Sequence, residues 1–176
     1  MGSRHLAVVL AVVAATVAPA SMSVAAEQTA PVTQRLDPDV SFLVTAHQAN
    51  LAQIALGQIA AKRGTSPTVR SLGARFAADS TKHDIGVQSV AKALRVPLES
   101  TPNATVRQSI LAYQSASTAA FDTLFLTSQT ALHAQADRLV RTELADGDEA
   151  LVRKIAAASL PVIKQHTAQL ALASRR

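Results

Sequence analysis

Residues 121–144, FDTLFLTSQTALHAQADRLVRTEL, lie in the longest stretch of the chain without Gly or Pro. At helical spacing Phe121, Leu124, Phe125, Leu132 and Leu139 point one way. Leu126, Val140 and Leu144 widen that arc on one flank, and Gln129 and His133 fall inside it. An amphipathic helix with so wide an apolar arc must be covered over much of its circumference, with some polar groups turned inward. The rest of the chain has to supply the cover.

The flanking segments read as further helices. Asp37-Pro38 and Ser66-Pro67 each pair an N-cap residue with Pro at the first helical position. The first helix is expected to reach Arg63, with Gly64 as its stop, and the second to reach about Arg95, ahead of Pro97. The first carries two apolar stripes, one with Leu43, His47, Ile54 and Ala61 and one with Phe42, Ala46, Ala49, Gln53, Leu56 and Ala60. The second carries one stripe, from Val69 through Leu72, Phe76, Ser80, His83 and Val87 to Leu94, spaced as in a bundle seam. Residues 97–117 form a long connection with a short helical piece near Thr105 to Tyr113. The third long helix is expected to start near Ser117 and end at Asp146-Gly147, and the fourth to run from about Asp148 to Ala173. The fourth should turn Leu151, Val152, Ile155, Val162, Ile163, His166 and Leu170 inward, and Pro161 should kink it. No segment alternates with period two over a convincing length, so the expected fold is an all-α four-helix bundle over residues 37–176.

Residues 1–26 read as a secretory signal peptide. Arg4 and His5 precede an uncharged apolar run from Leu6 to Ala18, and Val24-Ala25-Ala26 offers a cleavage site after Ala26. The run is shorter than the ~20 residues of a membrane span. An uncleaved anchor is the alternative. Residues 27–36 read as a flexible tether. The expected location is therefore secreted or in the cell envelope or periplasm, with no span after cleavage. The chain has no Cys, which excludes a disulfide scaffold and a thiol enzyme. Without the leader, 16 Lys plus Arg face 12 Asp plus Glu, scattered rather than striped, and the aromatics are four Phe and one Tyr. That pattern argues against nucleic acid as a partner. It leaves self-association or loose contact with anionic envelope polymers open, and the partner itself is unknown.

Four His remain after the leader, one per long helix: His47, His83, His133 and His166. All lie within or at the edge of an apolar arc. If the third long helix runs parallel to the second, His47, His83 and His133 should be level; in an up-and-down bundle, His47, His83 and His166 should be. One reading is a metal site, since imidazole suits Zn, Cu or Fe. A di-iron site needs Glu residues and Glu-x-x-His motifs that are missing here, and Asp79 and Asp122 are the only acids near the seam. A second reading makes each His a buried structural group bonded to polar neighbours such as Gln53, Asp79, Asp122 or Gln129. A third makes the cluster pH-responsive. No nucleophile motif, phosphate loop or HExxH occurs, so neither catalytic residues nor a required cofactor is expected.

Phe121-Asp122 with His133 eleven residues on, Leu160-Pro161 with His166, the pattern FxxxAxxxxxAxIxLGxxA at Phe42 to Ala60, and FAAD at Phe76 to Asp79 occur in this order. Together they resemble the exported bacterial family called domain of unknown function 4142, over about Phe42 to Leu172. The resemblance implies a ferritin-like fold and no assigned biochemical activity. Two positions depart from the family pattern. Gln53 stands where the family usually has Glu, and Ser80 where it usually has His. The expected roles are accordingly an exported, non-enzymatic interaction or stress-protection protein or, alternatively, a metal-binding protein using the inward histidines.

Overall fold

The computed structural model describes residues 37–175; the expected leader, 1–26, and tether, 27–36, lie outside the described residues. The described residues form five helices: α1 (Pro38–Arg63), α2 (Pro67–Ala93), α3 (Ala104–Ser115), α4 (Thr118–Asp146) and α5 (Ala150–Ala173). No strand occurs among the described residues. Each helix starts on a side-chain cap. Asp37, Ser66, Asn103, Ser117 and Glu149 accept the otherwise orphaned amides of Asp39, Val69, Val106, Ala120 and Leu151. Pro38 and Pro67 occupy first-turn positions, where no amide hydrogen is needed.

The helix ends differ from expectation in their cause. Gly64 has φ −53°, which any residue adopts. A Cβ there would lie 2.8 Å from the Ala60 carbonyl oxygen and 2.8 Å from Val69 Cγ1, so crowding selects Gly. α2 stops at Ala93, and Arg95 then takes a left-handed φ of 58°. α5 continues through Pro161. Leu151 and Val162, expected inside, are 45% and 37% exposed. Leu151 sits on the shoulder of the α5 stripe, away from the other helices, whereas Val162 borders an open cavity between them.

α1 and α2 form one hairpin and α4 and α5 another; the pairs meet through α1 against α4 and α2 against α5. The start of α4 lies beside the start of α2, where Asp122 accepts from the Thr65 and Ser66 amides. The end of α4 lies beside the start of α1, since Asp39 accepts from the Asp148 and Glu149 amides. α4 therefore runs parallel to α2, and the connection carrying α3 travels back along the length of the bundle.

The core has two apolar layers. Leu56, Leu72, Phe76, Tyr113, Phe121 and Phe125 fill the end near the α1–α2 turn. Phe42, Leu43, Val87, Val140, Val152 and Ala156 fill the other. Between them lies a polar waist.

Candidate functional site

The waist contains all four expected histidines, and it divides them into two pairs. At one level His47 Nδ1 lies 2.8 Å from Asp84 Oδ1, and its Nε2 lies 3.1 Å from the Glu99 carbonyl oxygen. Asn50 Nδ2 donates to the same Asp84 oxygen and to His83 Nδ1, both at 3.2 Å. His83 Nε2 then donates to Ser159 Oγ at 2.5 Å, and Ser159 passes its own hydrogen to the Ile155 carbonyl. At the second level His133 Nδ1 donates to the Gln129 carbonyl one turn back, at 2.8 Å. His133 Nε2 and His166 Nδ1 are 3.1 Å apart, and His166 Nε2 is 3.0 Å from Asp79 Oδ2.

The expected level sets do not form. The parallel course of α4 should bring His133 beside His47 and His83. Asp122, however, is level with Ser66, so a residue eleven further along α4 arrives beside α2 residues near 77. His133 accordingly packs on Phe76, with ring centroids 4.9 Å apart, as His166 does at 4.3 Å. Among the described residues no group of three His, Cys, Asp or Glu side chains is placed to hold a metal ion.

The acids also distribute differently. Asp79 is at the seam as expected. Asp122 is not: it caps the α1–α2 turn through the Thr65 and Ser66 amides and the Thr65 hydroxyl. Burial works against its negative charge, but these hydrogen bonds outweigh it and hold the carboxyl below its usual range. Three acids that the stripes did not mark are buried: Asp84, Asp39 and Glu143. Asp84 sits one residue past His83, on the flank facing α1, so a single inward stripe misses it. Gln129 is fully buried and donates from Nε2 to the Tyr113 hydroxyl at 3.3 Å. Gln53 Oε1 is buried without a hydrogen-bond partner.

Burial lowers the proton affinity of His83, His133 and His166, and brings His133 down to about 4. At His166 the Asp79 carboxylate opposes the effect of burial without cancelling it. Three contacts link the Gln129 carbonyl, His133, His166 and Asp79, and three hydrogens are needed to make them all hydrogen bonds. Two neutral imidazoles carry only two. Closing the chain takes a third hydrogen, and burial of His166 opposes its uptake there.

The sequence profile of the domain of unknown function DUF4142 matches residues 21–171. The chain belongs to the DUF4142 family. No curated protein and no solved structure matches it. Gln53 and Ser80, the two positions singled out in the sequence of this DUF4142 chain, both line a cavity of about 190 Å³ in the waist. His83, His133, His166 and Asp79 share that wall, while the greater part of it is apolar. His47 and Asp84 do not line it. No described helix of this DUF4142 chain is long and apolar enough to cross a membrane.

Proposed function

We propose that the chain is an exported, non-enzymatic bundle of ferritin-like build that acts by binding, in an interaction or protective role in the cell envelope. One observation carries the non-enzymatic part: each of the eight ring nitrogens of the four inward histidines meets a partner within the protein. A catalytic base needs a nitrogen free to reach substrate, and a metal ligand needs a lone pair aimed at the ion. The rings here are used as connectors between helices. Gln53 and Ser80 support the same reading, because they withdraw a carboxylate and an imidazole from the cavity wall. The long return connection between α2 and α4 supports the ferritin-like build, and the leader read in residues 1–26 supports export.

The metal-binding alternative retains one favourable observation, the 3.1 Å approach of His133 Nε2 to His166 Nδ1 with Asp79 beyond it. An ion entering there has to break both the ring–ring and the ring–carboxylate contacts. Metal content of untagged protein, with thermal melts in added Zn and Cu, decides between the two readings. Protein with no bound metal and an unmoved melt supports the binding role, because a tight ligand must stabilise the folded state. A stoichiometric metal with a raised melt replaces it. The mass of the protein recovered from its host tests export, which calls for a chain starting at Glu27.

A further inference from the structure

The waist cavity lies where all four long helices carry small residues: Ala46 and Ala49 on α1, Ser80 on α2, Ala136 on α4 and Ser159 on α5. Larger side chains at these heights would close it. Instead Phe42, Leu132, Leu139, Val140, Val162 and Ile163 surround open space of about 190 Å³. Exposed Thr45 and Gln135 mark where it reaches the surface along the α1–α4 seam. Side chains that border a gap forfeit dispersion contacts on that side, and an apolar guest restores them. An apolar cavity of about 150 Å³ is enough to hold benzene, so this one accommodates a six-membered ring with one or two methyl groups.

The wall specifies the chemistry by what it withholds. It contains no Lys or Arg, and burial keeps its three imidazoles neutral at pH 7, so an anion finds no counter-charge. Its one carboxylate, Asp79, is already engaged by His166 at 3.0 Å and by Arg75 at 3.4 Å, which removes the attraction for a cation. The principal polar groups bond to one another or to backbone: His83 to Asn50 and Ser159, and His133 to the Gln129 carbonyl and His166. The Asn50 amide also reaches Asp84, and the Ser159 hydroxyl goes to the Ile155 carbonyl. Gln53 Oε1 is sealed away from the cavity. Water at such a wall lacks the roughly two to four polar partners that hold it in a protein interior, and hydrocarbon needs none.

We propose that this cavity binds a small uncharged apolar molecule of single-ring size, held by burial of its hydrocarbon surface between the four long helices. The proposal rests on the binding role given above and names the class of ligand. It involves neither export nor metal: a bound metal overturns the role it rests on, whereas an empty cavity overturns the ligand class alone.

The probes are toluene, benzoate and benzylammonium, which share one ring and differ in charge. NMR titration of the untagged protein at pH 7 should give saturable toluene binding, with the largest shifts at the methyl groups of Leu132, Leu139, Val140 and Ile163. Benzoate and benzylammonium should bind at least about a hundredfold more weakly, because each would shed its hydration without gaining a partner. Ala136→Leu, which pushes methyl groups into the cavity from α4, should weaken toluene by about tenfold or more, and Ala49→Leu does the same from α1. Circular dichroism checks the folding of each variant, and the comparison of the three probes on the unaltered protein stands without either. Absence of toluene binding, shifts centred away from the waist, a charged probe that binds as well as toluene, or toluene binding indifferent to both substitutions overturns the proposal.

Discussion

Glu143 is 2% exposed, and no donor among the described residues reaches either of its carboxyl oxygens. Burial and then the neighbouring Asp39 carboxyl push its pKa up to about 7. Protonated, Glu143 becomes the donor that Asp39 lacks, while Asp39 also accepts the two amides that open α5. The sign follows from linkage. The folded state holds this proton more tightly than the unfolded state, so the contribution is full below pH 4.5 and is lost as pH rises through about 7. It amounts to on the order of 3 kcal/mol. Urea unfolding should therefore show stability falling between about pH 4.5 and 7, with Glu143→Gln flattening that limb; an unchanged slope in the variant sinks the assignment. His133 works in the opposite direction. Its folded-state affinity is depressed to about 4, so its contribution is full above pH 6.5 and is lost as pH falls. An NMR titration should find the His133 ring neutral at pH 5.5. The inward placement of all four histidines was legible from their positions on apolar arcs. Their partners were not, because Asp84 and Asn50 lie on flanks that face one particular neighbour, and a periodicity argument does not choose neighbours.

Helix boundaries were legible because the caps and prolines are local chemistry. The closeness of two helices is a matter of what is missing, and so was harder to read. At the α1–α2 crossing a Cβ on Gly57 would lie 2.5 Å from the Gly73 carbonyl oxygen. One on Gly73 would lie 2.7 Å from both the Gly57 carbonyl oxygen and Ala60 Cβ. Backbone cannot give way as a side-chain tip can, so α1 and α2 would have to separate. Gly73→Ala improves helix propensity and should nonetheless destabilise the fold by about 1–3 kcal/mol through overpacking. Chemical denaturation checks this, and a stabilised variant contradicts the crossing. Asp122 illustrates the same limit. Its place on α4 suggested a seam acid, yet it serves as a cap for a turn in the other hairpin. Asp122→Ala should cost about 1–2 kcal/mol, the usual worth of a lost cap, with hydrogen exchange at the Thr65 and Ser66 amides rising first.

The two hairpins depend on how the connection between them is fastened. α3 buries only Val106 and Tyr113, too little to hold a twelve-residue helix in place. Side chains of α1 supply the rest. His47 and Gln48 bind the Glu99 carbonyl, and Gln48 also pairs with the Thr101 carbonyl and the Asn103 amide. At the far end Arg63 donates to the carbonyls of Tyr113, Gln114 and Ala116 and stands 5.2 Å from the centroid of the Phe121 ring. Those three carbonyls close the C-terminus of α3, where helix partners run out and negative partial charge collects. A guanidinium satisfies them at once because its donors form a fixed fork, whereas an ammonium is a compact point charge. Arg63→Lys keeps the charge and should still lose most of the clamp. Hydrogen exchange should then show protection across α3 reduced by about 1.5–3 kcal/mol, the worth of hydrogen bonds to a charged group, with α1 and α2 amides near Gly57 and Gly73 unchanged. Equal loosening of α3 and of that crossing would mean that the connection is part of the core rather than a strap laid along it.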